Sequence, residues 1–192
     1  MGEPAKRRAT YEDLLAVPEH LVAEILAGNL VTRPRPAAPH AVAASVLGGE
    51  LSGPFHRGRG GPGGWIILDE PELHLHGDVV VPDLTGWLRA RMPHVPDAAA
   101  FEVAPDWVCE VISPSTEAVD RADKMPIYAR EGVGHVWLVD PTTRTLEVFR
   151  LEQQAWRVVN VWRVVNVWRD GAVVRAEPFG AIEIELAALW AR

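Results

Sequence analysis

The sequence has one cysteine, two lysines and no long apolar stretch. Cys109 stands alone among 192 residues, so neither an intrachain disulfide framework nor a cysteine-based zinc site is expected. No apolar run approaches the roughly 20 residues that a membrane-spanning helix requires. The polar start that contains Lys6 does not lead into the apolar segment of a signal peptide. These absences predict a soluble, cytoplasmic protein with no membrane partner.

Negatively charged residues outnumber positively charged ones, so the formal net charge is −7. A protein that coats nucleic acid non-specifically is normally basic, because neutralisation of phosphates supplies most of that affinity. The negative net charge therefore weighs against non-specific coating of nucleic acid. It weighs less against a nuclease, because a nuclease uses carboxylates to hold metal. Arg33, Arg35, Arg57 and Arg59 form a local basic cluster, for which ordinary solvated loop arginines are an equal interpretation.

The remaining composition is that of a globular protein, with 48% hydrophobic and 23% charged residues. We expect a polar tail over residues 1–9 and one domain over residues 10–192. Thr10 to Asp13 resembles a capping box that opens a short helix. Leu21–Leu26 and Leu30–Thr32 then form a predicted hairpin around Gly28-Asn29.

Helical and strand-like segments are mixed along the rest of the chain. His40–Leu51 and Thr116–Glu131 are predicted helices, and Val79–Trp87 is predicted as one strand, with Pro82 near its start suggesting an edge or a bend. Asp106–Ser113 is the clearest strand, because alternate side chains divide into two faces. The mixture predicts an α/β or α+β fold rather than a doubly wound dinucleotide-binding fold.

The last third is β-rich and contains a tandem duplication. The six residues 156–161 are repeated without change at 162–167. An insertion of even length preserves the alternation of a strand, so the duplication predicts a longer strand or a bulged loop without chemistry of its own. Most tryptophans are predicted to lie in the core, with Trp162 and Trp168 as candidates for exposure. A homodimer built on this long β-ribbon is a further hypothesis.

The residues with the clearest chemical potential are Asp83, Glu110 and Lys124. Lys124 is the only lysine beyond the N-terminal tail. Two carboxylates from adjacent strands can hold Mg²⁺, which prefers hard oxygen ligands, or Mn²⁺ in its place. A nearby lysine can orient a water or stabilise charge on a phosphate. On residue type alone, Lys124 could equally be a lysine on a solvated helix and Asp83 a turn residue after Pro82.

Helix periodicity and burial add support to this set. Asp120, Lys124 and Tyr128 are spaced by four residues, so they share one face of the predicted helix. Glu110 stands inside an apolar strand, where an unpaired carboxylate would be costly. It therefore needs a metal, a lysine or an exposed position.

The histidines of the sequence are weaker candidates for a functional site. His74, His76 and Asp78 alternate, so on a single strand they would share one face at a spacing compatible with a metal site. The wet face of an edge strand is the favoured interpretation, since no fourth ligand is in view. For His40, a helix-cap or surface role is favoured over an approach to the acidic site.

Several segments together resemble a known family of nucleases. The segments that carry the resemblance are Val81-Pro82-Asp83-Leu84, Pro105–Thr116, Asp120–Lys124, Tyr128–Val133 and Trp137–Pro141. They resemble the Uma-type family, described as putative restriction endonucleases, within the PD-(D/E)xK nuclease superfamily. The resemblance extends from Thr10 to Trp190.

The resemblance implies a restriction-endonuclease-like fold, a mixed central sheet flanked by helices, here with a β-rich C-terminal extension. It implies Asp83 and Glu110 as metal ligands, with Glu24 as a further acid that completes the metal shell. The usual lysine position is Ile112, and the family places the lysine on the following helix, at Lys124. Pro126 is a departure, which is accommodated if the regular helix starts near Asp123.

Two functions from different classes follow. The first is a Mg²⁺- or Mn²⁺-dependent DNA endonuclease that uses Asp83, Glu110, Glu24 and Lys124. The second is a catalytically weak or inactive nuclease-like module that binds nucleic acid or a protein partner. The sequence alone does not contain a separate DNA-reading motif, and fold does not by itself give function.

Overall fold

The structure is a computed structural model that describes residues 7–153 and 160–191. Most of the predicted N-terminal tail and residues 154–159, where the tandem duplication begins, lie outside the described residues. The side chain of Trp162 lies outside them as well. No helix in the described ranges is long and apolar enough to cross a membrane.

The described chain contains short helices and twelve strands. The helices are α1 Tyr11–Leu15, α2 Ala38–Leu51, α3 Glu117–Val119, α4 Met125–Arg130 and α5 Leu186–Leu189, with π-helical segments at Ser52–His56 and Asp120–Lys124. The strands are β1 Leu21–Leu26, β2 Asn29–Pro34, β3 Trp65–Asp69, β4 Leu73–Leu75, β5 Asp78–Val80, β6 Leu84–Leu88, β7 Trp107–Val111, β8 His135–Asp140, β9 Thr145–Gln153, β10 Asn160–Arg169, β11 Val173–Val174 and β12 Ile184–Glu185.

The core is organised around a six-stranded mixed sheet with the order β10-β9-β8-β7-β6-β3. Its β7–β8 pair is parallel, and the other neighbouring strands run antiparallel. A four-stranded sheet, β2-β1-β5-β4, and the β11–β12 pair accompany it. The predicted α+β class with a mixed central sheet flanked by helices is confirmed.

Strand β7 divides its side chains between the two faces of the large sheet, as its alternation predicts. Trp107, Cys109 and Val111 pack in the cluster that includes α2 and the C-terminal segment. Val108 and Ile112 pack in the cluster that includes the small sheet and α4. The strand is buried on both faces, and Glu110 points toward the second cluster's side of the sheet.

The N-terminal signals also have the predicted outcome. Thr10 caps α1: its hydroxyl accepts from the Asp13 N–H at 3.3 Å, and the Asp13 carboxylate accepts from the Thr10 N–H at 2.8 Å. In the β1–β2 hairpin, Leu26 pairs with Asn29, and Ala27 and Gly28 have φ values of 50° and 80°. A two-residue turn with positive φ at both positions matches the twist of the strands it joins, which favours glycine there.

The prediction of one strand over Val79–Trp87 is wrong. The segment contains β5 in the small sheet and β6 in the large sheet, with residues 81–83 crossing between them. Pro82 has no N–H for a ladder hydrogen bond, which favours an interruption there. The crossing matters for function because it brings Asp83 to the beginning of β6, next to β7.

The segment from Glu117 to Arg130 is helical, as predicted, but its hydrogen bonding changes within it. Asp120–Lys124 is π-helical, and the Met125 N–H donates to the Asp120 carbonyl. Pro126 falls in the first turn of α4, where its missing N–H is tolerated. The departure at Pro126 is therefore accommodated without breaking the helix.

The described part of the tandem duplication, residues 160–167, lies in β10. This strand pairs antiparallel with β9 along its length, with a register shift between Val164 and Asn166. An extended strand is thus the outcome for these residues, and β10 forms one edge of the large sheet.

Two glycines offer a matched test of this packing. A Cβ at Gly86 in β6 would lie 3.1 Å from Ile67 and Trp65 and 3.2 Å from Trp107, whereas a Cβ at Gly49 in α2 would meet no atom within 4 Å. We expect Gly86→Ala to lower the free energy of unfolding by about 1–3 kcal/mol through overpacking. Gly49→Ala should raise it by about 0.5–1 kcal/mol through helix propensity.

Urea unfolding of the two variants beside the wild type measures both effects. Equal or greater stability of Gly86→Ala would contradict the tight contact of β6 with its neighbours.

Candidate functional site

Lys124 lies at the centre of a buried group of carboxylates. Its Nζ is 3.0 Å from Glu24 Oε1, 3.2 Å from Glu110 Oε1 and 3.4 Å from Asp120 Oδ1. Lys124 itself is 0% exposed, and each of the three acids is 1% exposed. A lysine is almost never fully buried unless it is paired. The position of Lys124 therefore depends on these acids.

Three separate elements supply these side chains. Glu24 belongs to β1 of the small sheet, Glu110 to β7 of the large sheet, and Asp120 and Lys124 to the π-helical segment. The π-helical turn directs Asp120 and Lys124 inward together, and π-helical turns of this kind are frequent at functional sites.

Tyr128 and Arg33 complete the buried network. The Tyr128 hydroxyl donates to Glu110 Oε1. Arg33 Nη1 is 3.3 Å from Glu24 Oε2, and Arg33 Nη2 donates to the Val81 carbonyl at 3.2 Å. The Val81 N–H in turn donates to Glu24 Oε1 at 2.8 Å. Glu24 is thereby fixed to the crossing segment that precedes Asp83.

Asp83 lies beside this network rather than inside it. Its Oδ2 accepts from the Val111 N–H at 2.7 Å and is 3.2 Å from His40 Nε2. Leu84 pairs with Cys109, so Asp83 stands next to Glu110 across the β6–β7 pair. The structure thus brings Lys124 into direct contact with Glu24 and Glu110 and places Asp83 at the edge of this group.

The electrostatics of the acids differ because their burial and partners differ. Burial raises the pKa of Glu110 to about 8, although the charges of Lys124 and Arg33 oppose the increase. Burial also raises the pKa of Asp120. For Asp83, burial acts in the same direction, but the hydrogen bond and charge of His40 and the charge of Lys124 outweigh it and lower the pKa.

Lys124 responds in the opposite way to its surroundings. Burial alone would lower the pKa of its ammonium, yet the charges of Glu110 and Glu24 outweigh burial and raise it. Lys124 therefore remains a cation at neutral pH. Asp83 remains an anion there, whereas Glu110 holds its proton more tightly than an ordinary glutamate.

A cavity of about 380 Å³ opens on one side of the network. Of the four predicted site residues, Asp83 alone lines it, together with Arg33 and His40. Glu24, Glu110 and Lys124 do not line it. Among the predicted site residues, Asp83 is therefore the one that a molecule in the cavity would meet.

The donor set suits a hard divalent cation in charge and in atom type. Four buried carboxylates, those of Glu24, Asp83, Glu110 and Asp120, face two strong cations, Arg33 and Lys124. The excess negative charge is held close together in a place that water hardly reaches, and Mg²⁺ prefers carboxylate oxygens. Within the described ranges, however, no three or more His, Cys, Asp and Glu side chains are already arranged as a metal-binding group.

Two members of the site, His40 and Arg33, were noted in the sequence but not assigned to it. His40, for which a cap or surface role was favoured, is 9% exposed and contacts Asp83. That preference is wrong, because the first turn of α2 packs against the start of β6. Arg33 is the other, and strand alternation was the available signal, since it shares the less exposed face of β2 with Val31.

The alternating histidine motif does not form a site. His74 lies in β4 and Asp78 in β5, with His76 in the turn between them, so the prediction of a shared strand face is wrong. His74 pairs with Glu72 at 2.7 Å and His76 with Glu131 at 2.7 Å. Asp78 is buried, with its carboxylate 2.8 Å from Arg130 Nη2. Each group therefore has a separate structural partner.

The raised pKa of Glu110 predicts a specific dependence of stability on pH. Because the folded-state pKa of about 8 exceeds the ordinary value of 4.5, the folded protein keeps this proton more tightly than the unfolded chain. The resulting stability is present below pH 4.5 and is lost as pH rises through about 8. The contribution of Lys124 stays constant in this window, since its ordinary pKa is 10.5.

We therefore expect Glu110→Gln, which cannot lose a proton, to gain stability relative to the wild type as pH rises through this window. The slope of the difference should reach at most about 1.4 kcal/mol per pH unit. Urea unfolding in buffer with a chelator measures it, with the exposed Glu50→Gln as the control. Parallel curves for Glu110→Gln and the wild type would contradict the tightly held proton.

Comparison with known proteins identifies the architecture. No curated protein matches the chain. A solved structure described as a putative nuclease belonging to DUF820, from Anabaena variabilis, is similar, with a TM-score of 0.71 and 22% sequence identity. The match covers 95% of this chain and 97% of that chain, and at this identity it shows the fold. The family model Uma2, described as a putative restriction endonuclease, matches residues 8–187, and the chain therefore belongs to the Uma2 family.

Proposed function

We propose that the protein is a Mg²⁺- or Mn²⁺-dependent endonuclease that hydrolyses phosphodiester bonds in DNA. The observation that carries the proposal is the placement of Asp83. Its carboxylate has a lowered pKa, faces a cavity beside Arg33 and His40, and is backed by the Glu110–Lys124 pair. Family membership supports the same reaction class.

Asp83 and Glu110 are the residues that would hold the divalent cation, with Glu24 as a further acid. When bound, such a cation lowers the pKa of a water molecule and stabilises charge on the scissile phosphate. Asp83 contributes an anionic oxygen at the cavity wall. Its Oδ2 is held by the Val111 N–H and His40, which fixes the direction of the carboxylate.

Lys124 acts on this site through its neighbours in the described geometry. Its Nζ contacts Glu110 at 3.2 Å and Glu24 at 3.0 Å, and the side chain is fully buried. We assign it the positioning of Glu110 and the stabilisation of the ionised carboxylate. A direct role in orienting water or stabilising the phosphate stays a prediction from the sequence.

Arg33 and His40 are the basic groups nearest the place where a phosphate would approach Asp83. Both line the cavity. The Arg33 side chain is 18% exposed, so it presents part of its guanidinium while it pairs with Glu24. An arginine fork suits phosphate oxygens. His40 Nε2 contacts Asp83 Oδ2 at 3.2 Å.

A nuclease-like module without catalysis is the second candidate. Its support is that Glu24 and Glu110 are already paired with Lys124 and further donors, together with the net charge of −7. Such a module would bind nucleic acid or a protein partner without cutting. Metal binding separates the two candidates.

Removal of the cavity-facing carboxylate should abolish metal-dependent cleavage. We expect Asp83→Asn and Lys124→Ala each to lower the cleavage rate by a factor of at least about 100. This factor is the lower end of the rate losses seen when an enzyme loses one acid–base or charge-stabilising group. The exposed Asp97→Asn is the matched control and should cut like the wild type. A labelled DNA substrate with Mg²⁺ or Mn²⁺ measures the rates.

Lys124→Ala leaves buried carboxylates without their cation, which costs several kcal/mol. Circular dichroism must therefore show that this variant is folded at the assay temperature. Cleavage at the wild-type rate by folded Asp83→Asn would overturn the proposal.

Divalent metal should bind in the absence of DNA. Calorimetric titration of the wild type with Mg²⁺ or Mn²⁺ should give a saturable signal, because the four buried carboxyl groups of the site face two strong cations, Arg33 and Lys124, and a divalent cation can replace the proton that Glu110 holds. Asp83→Asn should bind at least about tenfold more weakly, since it loses a charged oxygen ligand. Absence of binding to the wild type would favour the non-catalytic module.

A further inference from the structure

Two cavities share Asp83 in their walls. One is the cavity of about 380 Å³ described above, and the second has a volume of about 360 Å³. The residues common to both walls are Arg35, Pro36, His40, Glu70 and Asp83. A chain of linked groups that occupies both cavities would therefore pass the shared part of the wall, which contains Asp83.

The size of each cavity limits what can enter. Cavities of this volume enclose small-molecule-sized groups. A DNA duplex is far wider, since its major groove alone measures about 12 Å across. Asp83 is 6% exposed and lies between the cavity walls rather than on a convex surface. A carboxylate placed in this way is more accessible to a flexible strand than to a phosphate on the outside of an intact duplex.

The wall of the larger cavity has a chemistry that fits a nucleotide. Five prolines line it, at positions 34, 36, 39, 114 and 141. Arg33 and Arg35 supply positive charge for a phosphate, and Ser113, Thr116 and Thr142 supply hydroxyls. Apart from His40, the described residues place no aromatic ring in either wall. The prolines could contact a base, and the two arginines could bind the phosphates of the backbone.

We propose that the substrate is a single strand, or an unpaired stretch of a duplex, with one nucleotide in each cavity and the bond between them at Asp83. This inference rests on the proposed function and narrows its substrate class. Enzymes that act inside a closed pocket receive nucleic acid as a single strand or extract it from the duplex at the cost of unpairing and unstacking. A single strand avoids that cost.

The test compares one labelled oligonucleotide alone, annealed to its complement, and annealed to a strand that leaves a short bulge. With Mg²⁺ or Mn²⁺, we expect the single strand to be cut at least about tenfold faster than the full duplex. The bulged duplex should be cut at its unpaired nucleotides. Equal or faster cleavage of the full duplex would overturn the inference.

A matched pair of variants probes the cavity itself. Ala37 lines the larger cavity at the start of α2, whereas Ala99 is exposed and lines neither cavity. Ala37→Trp should fill the cavity and lower single-strand cleavage by at least about tenfold, while Ala99→Trp should leave it unchanged. Metal titration of Ala37→Trp should match the wild type, which separates loss of the cavity from loss of the metal.

Fluorescence anisotropy in Ca²⁺ with the same oligonucleotides distinguishes this inference from the proposed function. Tighter binding of the single strand, weakened in Ala37→Trp, supports the inference even if no strand is cut, in which case the hydrolytic function fails alone. Preferential cutting of the full duplex that Asp83→Asn abolishes overturns the inference and keeps the hydrolytic function. Binding of neither form overturns the inference.

Discussion

The ion pairs of Lys124 with Glu24 and Glu110 hold together the parts of the fold that matter for function. One acid comes from the small sheet and the other from the large sheet, while the lysine comes from the helical segment that packs over both. Three elements distant in the sequence thus depend on one ammonium group. Loss of either partner in a buried pair is more costly than loss of an exposed pair, because the remaining charge is left without water.

The same arrangement divides the site into a closed part and an accessible part. Lys124 and Tyr128 both donate hydrogen bonds to the buried Glu110. Asp83, in contrast, lines the cavity and is in contact with His40. The closed part carries more negative than positive charge, and the raised pKa of Glu110 is one response to that excess. A bound divalent cation would be another. Protonation and metal binding therefore compete for the same carboxylate.

Much of this arrangement is predictable from local patterns, and the remainder depends on contacts between distant segments. Alternation in β7 identifies Glu110 as a polar residue in an apolar strand, and spacing by four predicts that Lys124 and Tyr128 share one helix face. Both side chains contact Glu110 in the structure. The partners of His40 and Arg33 lie on other elements, so local patterns do not identify them, although alternation in β2 places Arg33 on its less exposed face. Pro82 predicts an interruption at residues 81–83, but the change from one sheet to the other there depends on contacts between distant strands.

The π-helical turn at Asp120–Lys124 makes chain length as important as residue identity. A π-helical turn accommodates one residue more than an α-helical turn. Deletion of one residue between Asp120 and Lys124 would restore ordinary α-helical bonding and change their spacing from four residues to three. The directions of the two side chains relative to the acids would then change, even if every functional side chain were retained. Relatives of this protein should therefore be compared by the spacing of this segment as well as by its acids and lysine.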